Sequence, residues 1–301
     1  MPSRRSERQT VRELRLPCPP PYDWAALLDF HRARAIPGVE EVVGECYRRI
    51  AWAGTTPVLI TVNPAADDAL VAQVEGAPAT AMADLEQCLR RAFDLDTDTA
   101  PIRAHLARDA RLGPLVAARP GLRVPGSVDT FEQAVRAILG QQVSVAAARD
   151  LAARLCQRWG EPVHFASAPA LRWTFPPAAA LVEVEVATLG MPGARGRAVS
   201  ALAAAVLAEP ALLDTGGTLD AALARLQAVQ GIGPWSANYI ALRALRHFDA
   251  FPASDIGILR ALADDDGNRP TPRAAAALAE AWRPWRGYAA QYLWARDAGG
   301  G

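Results

Sequence analysis

The sequence contains no lysine, because all 32 residues counted as lysine or arginine are arginine. Chemistry that needs the amine of a lysine side chain, such as Schiff-base formation with a sugar or substrate carbonyl, is therefore excluded for this chain. Cysteine is scarce too. Its four positions, Cys18, Cys46, Cys88 and Cys156, are far apart and form no CxxC pair. This spacing argues against a zinc site or an iron–sulfur cluster and fits a reducing cytoplasm.

Long apolar runs and a charge excess of one sign are also missing. No stretch reaches the roughly 18 consecutive apolar residues of a membrane-spanning helix, and the Arg-rich start lacks the apolar core of a secretory signal. The formal net charge is +0, so overall charge does not indicate a nucleic-acid partner, although a local basic patch would suffice. A mean hydropathy of +0.03 is typical of a globular enzyme. We expect a cytoplasmic protein with no membrane partner.

A chain of 301 residues can hold two domains, and its pattern changes near residue 102. Residues 1–18 are rich in arginine and are expected to form a disordered arm. Residues 19–102 mix helix and strand patterns, which predicts a small α+β domain with an antiparallel sheet. Residues 103–301 are almost wholly helical. The predicted fold class is α+β, with a small antiparallel domain followed by an all-α, two-lobed domain.

The secondary-structure pattern is specific enough to place several elements. Helices are predicted over 23–35, 82–93, 181–189, 192–207 and 271–282, and strands over 45–52 and 56–63. Asp129 and Glu132 resemble a capping box at the start of a helix that ends near Leu139. Gly140 breaks that helix and Ser144 can cap the next one. Gln141 and Gln142 are therefore predicted to lie on a short interhelical loop.

The most informative segment is the hairpin at about 220–247. Gly231 and Gly233 stand between two helical patterns, where glycine allows a sharp turn and brings backbone N–H groups close to a ligand. Pro234 suits the first turn of the second helix. A helix start favours an anion such as phosphate. A turn that binds no ligand stays open as the alternative, because a short glycine pair is weak evidence.

Two aromatic residues and one carboxylate accompany this hairpin. Trp235 and Tyr239 are four residues apart and so share one helix face, either as a stacking wall for a base or as core residues. Asp255 precedes the apolar run that begins at Ile256. It can be a helix N-cap, a catalytic carboxylate or both.

With these segments the sequence resembles the helix–hairpin–helix DNA glycosylase superfamily, and within it the bacterial 3-methyladenine DNA glycosylase II (AlkA) type. The resemblance extends from about residue 20 to residue 297. It rests on five segments in the family's order: PPYDW (20–24), RPGLRVPGSVDTFEQAVRAILGQQVSVAAA (119–148), LGMPGARGRA (189–198), GIGPWSANYIALR (231–243) and WRPWRGYAAQYLW (282–294). Five long segments in order are a specific signal.

The resemblance implies a role for individual residues. The catalytic aspartate corresponds to Asp255 and the residue that fills the gap in the DNA to Gln142. The base pocket corresponds to Trp235, Tyr239, Trp294, Phe30 and Gln141, and the phosphate-binding hairpin to Gly231, Gly233 and Ser236. Backbone carbonyls of Gln227, Val229 and Ile232 would hold a monovalent cation, Na⁺ or K⁺, and no other cofactor is expected.

The sequence departs from the family at three pocket positions. Gln142 replaces a leucine wedge, Gly257 a leucine after the aspartate, and Ala295 a tyrosine. A roomier pocket is expected on the side of Gly257 and Ala295, and the range of damaged bases stays open.

The resemblance implies hydrolysis of the N-glycosidic bond after base flipping, on damaged double-stranded DNA, by a monomer. An aromatic cage would attract the positive charge of an alkylated purine. Trp235 stands where bifunctional relatives carry a lysine, so release without strand cleavage is expected. Two alternatives remain: an enzyme of this fold for hypoxanthine, ethenoadenine or oxoguanine, and a non-catalytic module that binds damaged DNA.

Overall fold

The structure, a computed structural model, describes residues 10–299. Its N-terminal part is a five-stranded antiparallel sheet with the strand order β1-β5-β4-β3-β2. The strands are β1 Val11–Pro17, β2 Glu40–Val43, β3 Cys46–Ala53, β4 Thr56–Ala65 and β5 Ala69–Glu75. The apolar residues of the central strands pack on both faces, so the sheet is buried between two layers.

Twelve α-helices accompany the sheet within residues 10–299. They are α1 Trp24–Arg34, α2 Met82–Ala92, α3 Ala100–Leu106, α4 Gly113–Ala118, α5 Thr130–Leu139, α6 Val145–Trp159, α7 Gly193–Ala208, α8 Leu219–Ala228, α9 Pro234–Arg243, α10 Ile256–Ala261, α11 Pro272–Ala279 and α12 Arg286–Gly299. In this part of the chain, none of the helices is long and apolar enough to cross a bilayer.

The sheet contacts a different partner on each face. Leu16, Ile60 and Leu89 belong to the core between one face and helix α2. On the other face, Ile50 and Leu59 pack against Phe165 and its neighbours from the loop after α6. The helical region has its own core, to which α3 and α4 contribute. The packing therefore joins the small domain and the helical domain along one face of the sheet.

A buried ionic network crosses this junction. Arg49 on β3 contacts Glu132 on α5 at 2.5 Å (Nη2–Oε2), and Arg136 on α5 contacts Glu40 on β2 at 2.8 Å (Nη1–Oε2). Burial alone would raise the pKa of Glu40, but Arg136 and Arg49 outweigh it and hold that pKa at about 2. The network therefore fixes α5, and the loop that follows it, on the sheet.

Polar N-caps explain where several helices start. Asp129 accepts from the backbone N–H of Glu132 at 2.9 Å, and Ser144 accepts from Ala147 at 3.2 Å. Both caps confirm the prediction from sequence. The two helices they open flank the loop that carries Gln141 and Gln142.

The predicted disordered arm over 1–18 is wrong for its second half. Val11–Pro17 forms strand β1, paired with Ala69–Glu75, and residues 1–9 lie outside the described residues. The reason is a period of two that the charged residues obscure. Leu14 and Leu16 face the core, and the exposed side chains of Glu13 and Arg15 alternate with them.

The predicted helix over 181–189 is also wrong in most of its length. Only a short 3₁₀ turn at Val186–Leu189 forms there. The β-branched residues Val182, Val184 and Val186 alternate with glutamates, a pattern that disfavours a helix. Gly190, with φ +86°, ends the turn in a left-handed conformation.

Candidate functional site

A cleft of about 1300 Å³ opens between helix α1 and the helical domain. It is lined by every residue that the sequence assigned to catalysis, the base pocket, the wedge or the phosphate-binding hairpin. These are Phe30, Gln141, Gln142, Gly231, Gly233, Trp235, Ser236, Tyr239, Asp255 and Trp294. The fold thus brings together positions separated by more than 200 residues of sequence.

Asp255 lies at the N-terminus of α10 and is held by four N–H donors. Its Oδ1 accepts from the backbone amides of Gly257 and Ile258, at 2.9 and 3.2 Å, and from Trp294 Nε1 at 2.8 Å. Its Oδ2 accepts from Trp235 Nε1 at 2.9 Å. Oδ1 is therefore saturated, whereas Oδ2 keeps a lone pair for a further partner. Asp255 is an N-cap, as one reading of the sequence predicted, and its second oxygen remains available for chemistry.

The same two indoles form part of an aromatic corner. Trp235 and Tyr239 stack with centroids 5.3 Å apart and planes at 12°, because they are four residues apart on α9. Trp294 from α12 meets Tyr239 edge-on, at 6.0 Å and 70°. A planar ligand entering this corner finds an aromatic wall beside the carboxylate.

Gly257 does not open the pocket as predicted. A Cβ added there would lie 3.1 Å from Cδ1 of Trp294 and 3.2 Å from Oδ1 of Asp255. The space of the missing side chain is occupied by the Trp294 indole, which thereby reaches the carboxylate. The prediction of a roomier pocket is therefore wrong at residue 257, and no contact tests it at Ala295.

The loop between α5 and α6 is tied to the hairpin through Gln141. Its Nε2 donates to the carbonyl oxygen of Gly231 at 3.0 Å and to Ser236 Oγ at 2.9 Å. Gln141 thus lines the cleft but uses both amide hydrogens on the protein. Its neighbour Gln142 is exposed at the loop tip, with a left-handed φ of +55°. That placement suits a residue that projects from the surface.

The hairpin presents backbone amides instead of side chains. Ser236 is buried and its hydroxyl accepts from Gln141, so it does not face the cleft opening. Among the hydrogen bonds of residues 10–299, none uses the N–H of Gly231, Gly233 or Ser236. Unpaired amides at the start of α9 are the donors that an anion requires.

The two hairpin glycines differ in whether their backbone conformation and surroundings would accept a side chain. Gly231 has φ +90°, and a Cβ there would lie 2.3 Å from Cβ of Ala198 on α7. Gly233 has φ −86°, and a Cβ added to it would meet no atom within 4 Å. The turn at Gly231 therefore depends on close packing against α7, whereas Gly233 does not.

Gly231→Ala is expected to destabilise the fold by about 2 kcal/mol, through overpacking and a strained positive φ. Gly233→Ala, its matched control two residues away, is expected to stay within about 0.5 kcal/mol of the parent protein. Urea denaturation of the three proteins measures both values. Equal losses for the two variants would contradict the packing at Gly231.

Arg243 is a pocket residue that the sequence pattern did not reveal. It lies one turn after Tyr239 on α9, is 2% exposed, and lines the cleft. Its guanidinium carbon lies 4.8 Å from the ring centroids of Phe30 and Trp294 and 5.6 Å from that of Tyr239. The four-residue step from Tyr239 was the available signal. The predicted aromatic cage therefore already contains a cation.

Phe30, predicted to stack on the base, is engaged with two cations. The guanidinium carbon of Arg34 lies 4.1 Å from its ring centroid, in addition to Arg243. Burial acts to raise the pKa of Tyr239, but Arg243, Arg34 and Arg136 together lower it. Arg34 and Arg243 thus make the inner end of the cleft positive. The carboxylate of Asp255 lies on the other side of the cleft, against Trp235.

Comparison with known protein families gives one match in each half of the chain. The AlkA N-terminal domain family matches residues 13–129, beyond the boundary predicted near 102. The family described as "HhH-GPD superfamily base excision DNA repair protein" matches residues 135–287. The two matches together cover most of the chain.

Two curated relatives and one solved structure resemble most of the chain. Escherichia coli DNA-3-methyladenine glycosylase 2 is 37% identical, over 91% of this chain and 94% of the relative. The probable bifunctional transcriptional activator/DNA repair enzyme AlkA of Mycobacterium tuberculosis is 40% identical over 93% of this chain, which spans about half (56%) of the relative. The 3-methyladenine DNA-glycosylase structure from Archaeoglobus fulgidus has a TM-score of 0.82 and 21% identity, over 95% and 98% of the two chains, and supports the fold.

The chain therefore belongs to the HhH-GPD superfamily of base excision DNA repair proteins, and within it to the AlkA type.

Proposed function

We propose that this protein is a monofunctional DNA glycosylase that releases alkylated bases, with 3-methyladenine as the reference substrate, from double-stranded DNA. The observation that carries the proposal is the geometry of Asp255. A carboxylate with one oxygen fixed by three donors and the other held by one indole lies at the wall of an aromatic cleft. The protein would act as a monomer, in the cytoplasm and on the nucleoid.

Binding of the DNA backbone is assigned to the hairpin. The unpaired amides of Gly231, Gly233 and Ser236 offer donors to one phosphate, at the positive end of the α9 dipole. Backbone carbonyls of Gln227, Val229 and Ile232 would hold Na⁺ or K⁺ beside it. Within the described residues, the carbonyl oxygens of Gln227 and Ile232 accept no hydrogen bond, and an all-oxygen set suits a hard cation. Such a cation would supply positive charge next to the phosphate.

Extraction of the damaged nucleotide is assigned to the loop between α5 and α6, which lies next to the hairpin. Unstacking a base costs a few kcal/mol, and less for a damaged pair. Gln142 projects where a residue can fill the gap. It is accompanied by Val143, Val145 and Ile256, three exposed apolar side chains that all line the cleft. Apolar contacts of this kind compensate for the polar character of Gln142, because they cover base faces that flipping exposes.

Bond cleavage is assigned to Asp255. The C1′–N bond breaks, its electron pair goes to the base, and positive charge develops on the sugar. The carboxylate stabilises that charge through Oδ2, and a water molecule then adds to C1′ and loses one proton to solvent. An alkylated purine already carries a positive charge, so it leaves as a neutral base without a general acid. One carboxylate then suffices, in contrast to the pair that glycosidases use on neutral leaving groups.

Strand cleavage through a Schiff base would need a side-chain amine at the hairpin. The chain has no lysine, and Trp235 with its Nε1 bound to Asp255 stands at that position. The product is therefore an abasic site in an intact strand.

The test is incubation of the purified protein with duplexes that each carry one 3-methyladenine, hypoxanthine, ethenoadenine or oxoguanine. Released base is measured directly, and strand scission is measured before and after alkaline treatment. We expect release of 3-methyladenine, with scission only after alkali. Release of oxoguanine alone would favour another substrate class on this fold. Binding to damaged duplexes with no release of any base would favour a non-catalytic binding module.

A further inference from the structure

Asn238 ties helix α9 to the loop that carries Asp255. Its Oδ1 accepts from the backbone N–H of Phe251 at 3.0 Å, and its Nδ2 donates to the carbonyl oxygen of Pro234 at 3.0 Å. A single orientation of the amide satisfies both partners, because one of them is a donor and the other an acceptor. The side chain therefore links the first turn of α9 to a residue that lies 13 positions after Asn238 in the sequence.

The helix itself does not call for an asparagine at this position. Asparagine has a low helix propensity, and a side chain that bonds to a carbonyl oxygen four residues back competes with the hydrogen bonds of the helix. Asn238 lies in the interior of α9 and is only half-buried, so the core does not require it either. The hydrogen bond to Phe251 is the feature that accounts for the residue.

Two short turns connect Phe251 to Asp255. The backbone N–H of Ala253 donates to the carbonyl oxygen of Phe251 at 2.9 Å, and the backbone N–H of Asp255 donates to that of Pro252 at 2.8 Å. Pro252 restricts the segment further, because its ring fixes φ. The Phe251 ring packs against Trp282, so Asn238 fixes the backbone of a residue whose side chain is already anchored. The backbone position of Asp255 thus follows from that of Phe251.

The same part of α9 also holds the carboxylate. Trp235, three residues before Asn238, donates from its Nε1 to Oδ2 of Asp255 at 2.9 Å. The contacts form a closed ring, from α9 through Asn238 and the loop to Asp255, and back to α9 through Trp235. Oδ2 is the oxygen assigned to the developing charge on the sugar. Its placement matters, because a displacement of about 1 Å can cost about 100-fold in rate.

We propose that Asn238 is a positioning residue, which sets the place of Asp255 Oδ2 relative to the bound nucleotide. This inference rests on the proposed glycosylase function. Within residues 10–299, the cleft is lined by the neighbouring Tyr239 but not by Asn238 itself. Asn238 therefore acts on the reaction through Phe251 and Asp255, without touching the substrate. Its loss should slow cleavage of the glycosidic bond and leave the affinity for DNA unchanged.

The test compares Asn238→Leu, which has a similar shape but no amide, with Asn238→Asp, which keeps an oxygen that accepts from Phe251. Single-turnover release from a 3-methyladenine duplex is measured with saturating enzyme in excess, and affinity is measured by gel-shift titration. We expect Asn238→Leu to lower the rate of release about tenfold, less than the loss for a full 1 Å displacement. Asn238→Asp should recover the rate to within about threefold of the parent protein, because the bond to Phe251 remains.

The matched control is Asn268→Leu. The Asn268 side chain is exposed and donates to Asp264 within its own loop, so both rate and affinity should equal those of the parent protein. With saturating enzyme in excess, the rate constant does not depend on the folded fraction of a variant, and partial misfolding does not mimic the result.

Three outcomes would overturn the positioning role: an unchanged rate in Asn238→Leu, an equal loss in Asn238→Asp, or a loss of affinity in place of rate. Absence of release by the parent protein would count against the glycosylase function, and the role of Asn238 would fall with it. The parent protein thus separates failure of the proposed function from failure of this inference.

Discussion

Replacing Asp255 by asparagine is expected to lower the rate of base release by at least about 100-fold, the loss typical for one preorganised electrostatic group. Asparagine has the same shape but no negative charge to offer the developing cation on the sugar. Its oxygen can take the place of Oδ1 and its three donors, so α10 keeps its cap. Single-turnover release from a 3-methyladenine duplex measures the rate, and a gel-shift titration measures binding, which should stay within a few-fold.

The matched control is Asp297→Asn. Asp297 lines the same cleft close to Gly257, but both of its oxygens are bound by Arg260, through Nε at 2.8 Å and Nη2 at 2.6 Å. Its loss should change release by no more than a few-fold. Comparable losses in the two variants would mean that the net charge of the cleft matters and that Asp255 has no individual role.

Glu132→Ala is expected to destabilise the protein by about 3–5 kcal/mol, the cost of leaving one partner of a buried ion pair uncompensated. Glu132 is 3% exposed and accepts from Arg49 on the sheet and from Arg136 on its own helix. Without it, Arg49 retains, among residues 10–299, only Glu40 as a carboxylate partner, at 3.2 Å. Chemical denaturation at pH 7 measures the difference.

Asp67→Asn provides the comparison for a pair at the surface. Asp67 contacts Arg15 at 2.5 Å, but the two side chains are 72% and 50% exposed. Exposed pairs contribute at most about 1 kcal/mol, so this variant should be close to the parent protein. Similar losses of unfolding free energy in Glu132→Ala and Asp67→Asn would contradict the view that burial makes the ionic network stabilising.

The features predicted best from sequence were local ones. The caps at Asp129 and Ser144 and the strands at 46–53 and 56–65 depend on neighbouring residues, and they form within one or two residues of their predicted bounds. Strands β1, β2 and β5 were missed. Strand β2 has four residues and β1 carries three charged ones, and all three strands are stabilised by pairing with neighbouring strands, which a local pattern does not contain.

In the candidate site, too, the features that depend on local sequence were predicted and those that depend on distant contacts were not. Its members were predicted from motifs and from the family resemblance, and the cleft contains all of them except Gln227, Val229 and Ile232, the residues assigned to a cation. Their mutual geometry was not predictable. The reach of Trp294 to Asp255 depends on the small size of Gly257, and the charge of the cage depends on Arg243, whose partners Pro125 and Gln291 come from other segments. Contacts of this kind involve three separate segments of the chain.

The two hydrogen bonds of Gln141 bear on the entropy of association. They fasten the loop that carries Gln142 to the turn at Gly231, which presents the amides for phosphate. The loop is thus ordered before any ligand arrives, and the cost of immobilising it, about 0.5–1.5 kcal/mol for each side chain, is met during folding. In the proposed complex, Gln142 enters the duplex and the turn at Gly231 binds the DNA backbone. Because the two are joined in one rigid unit, the distance between these two points of contact on the DNA is fixed before binding.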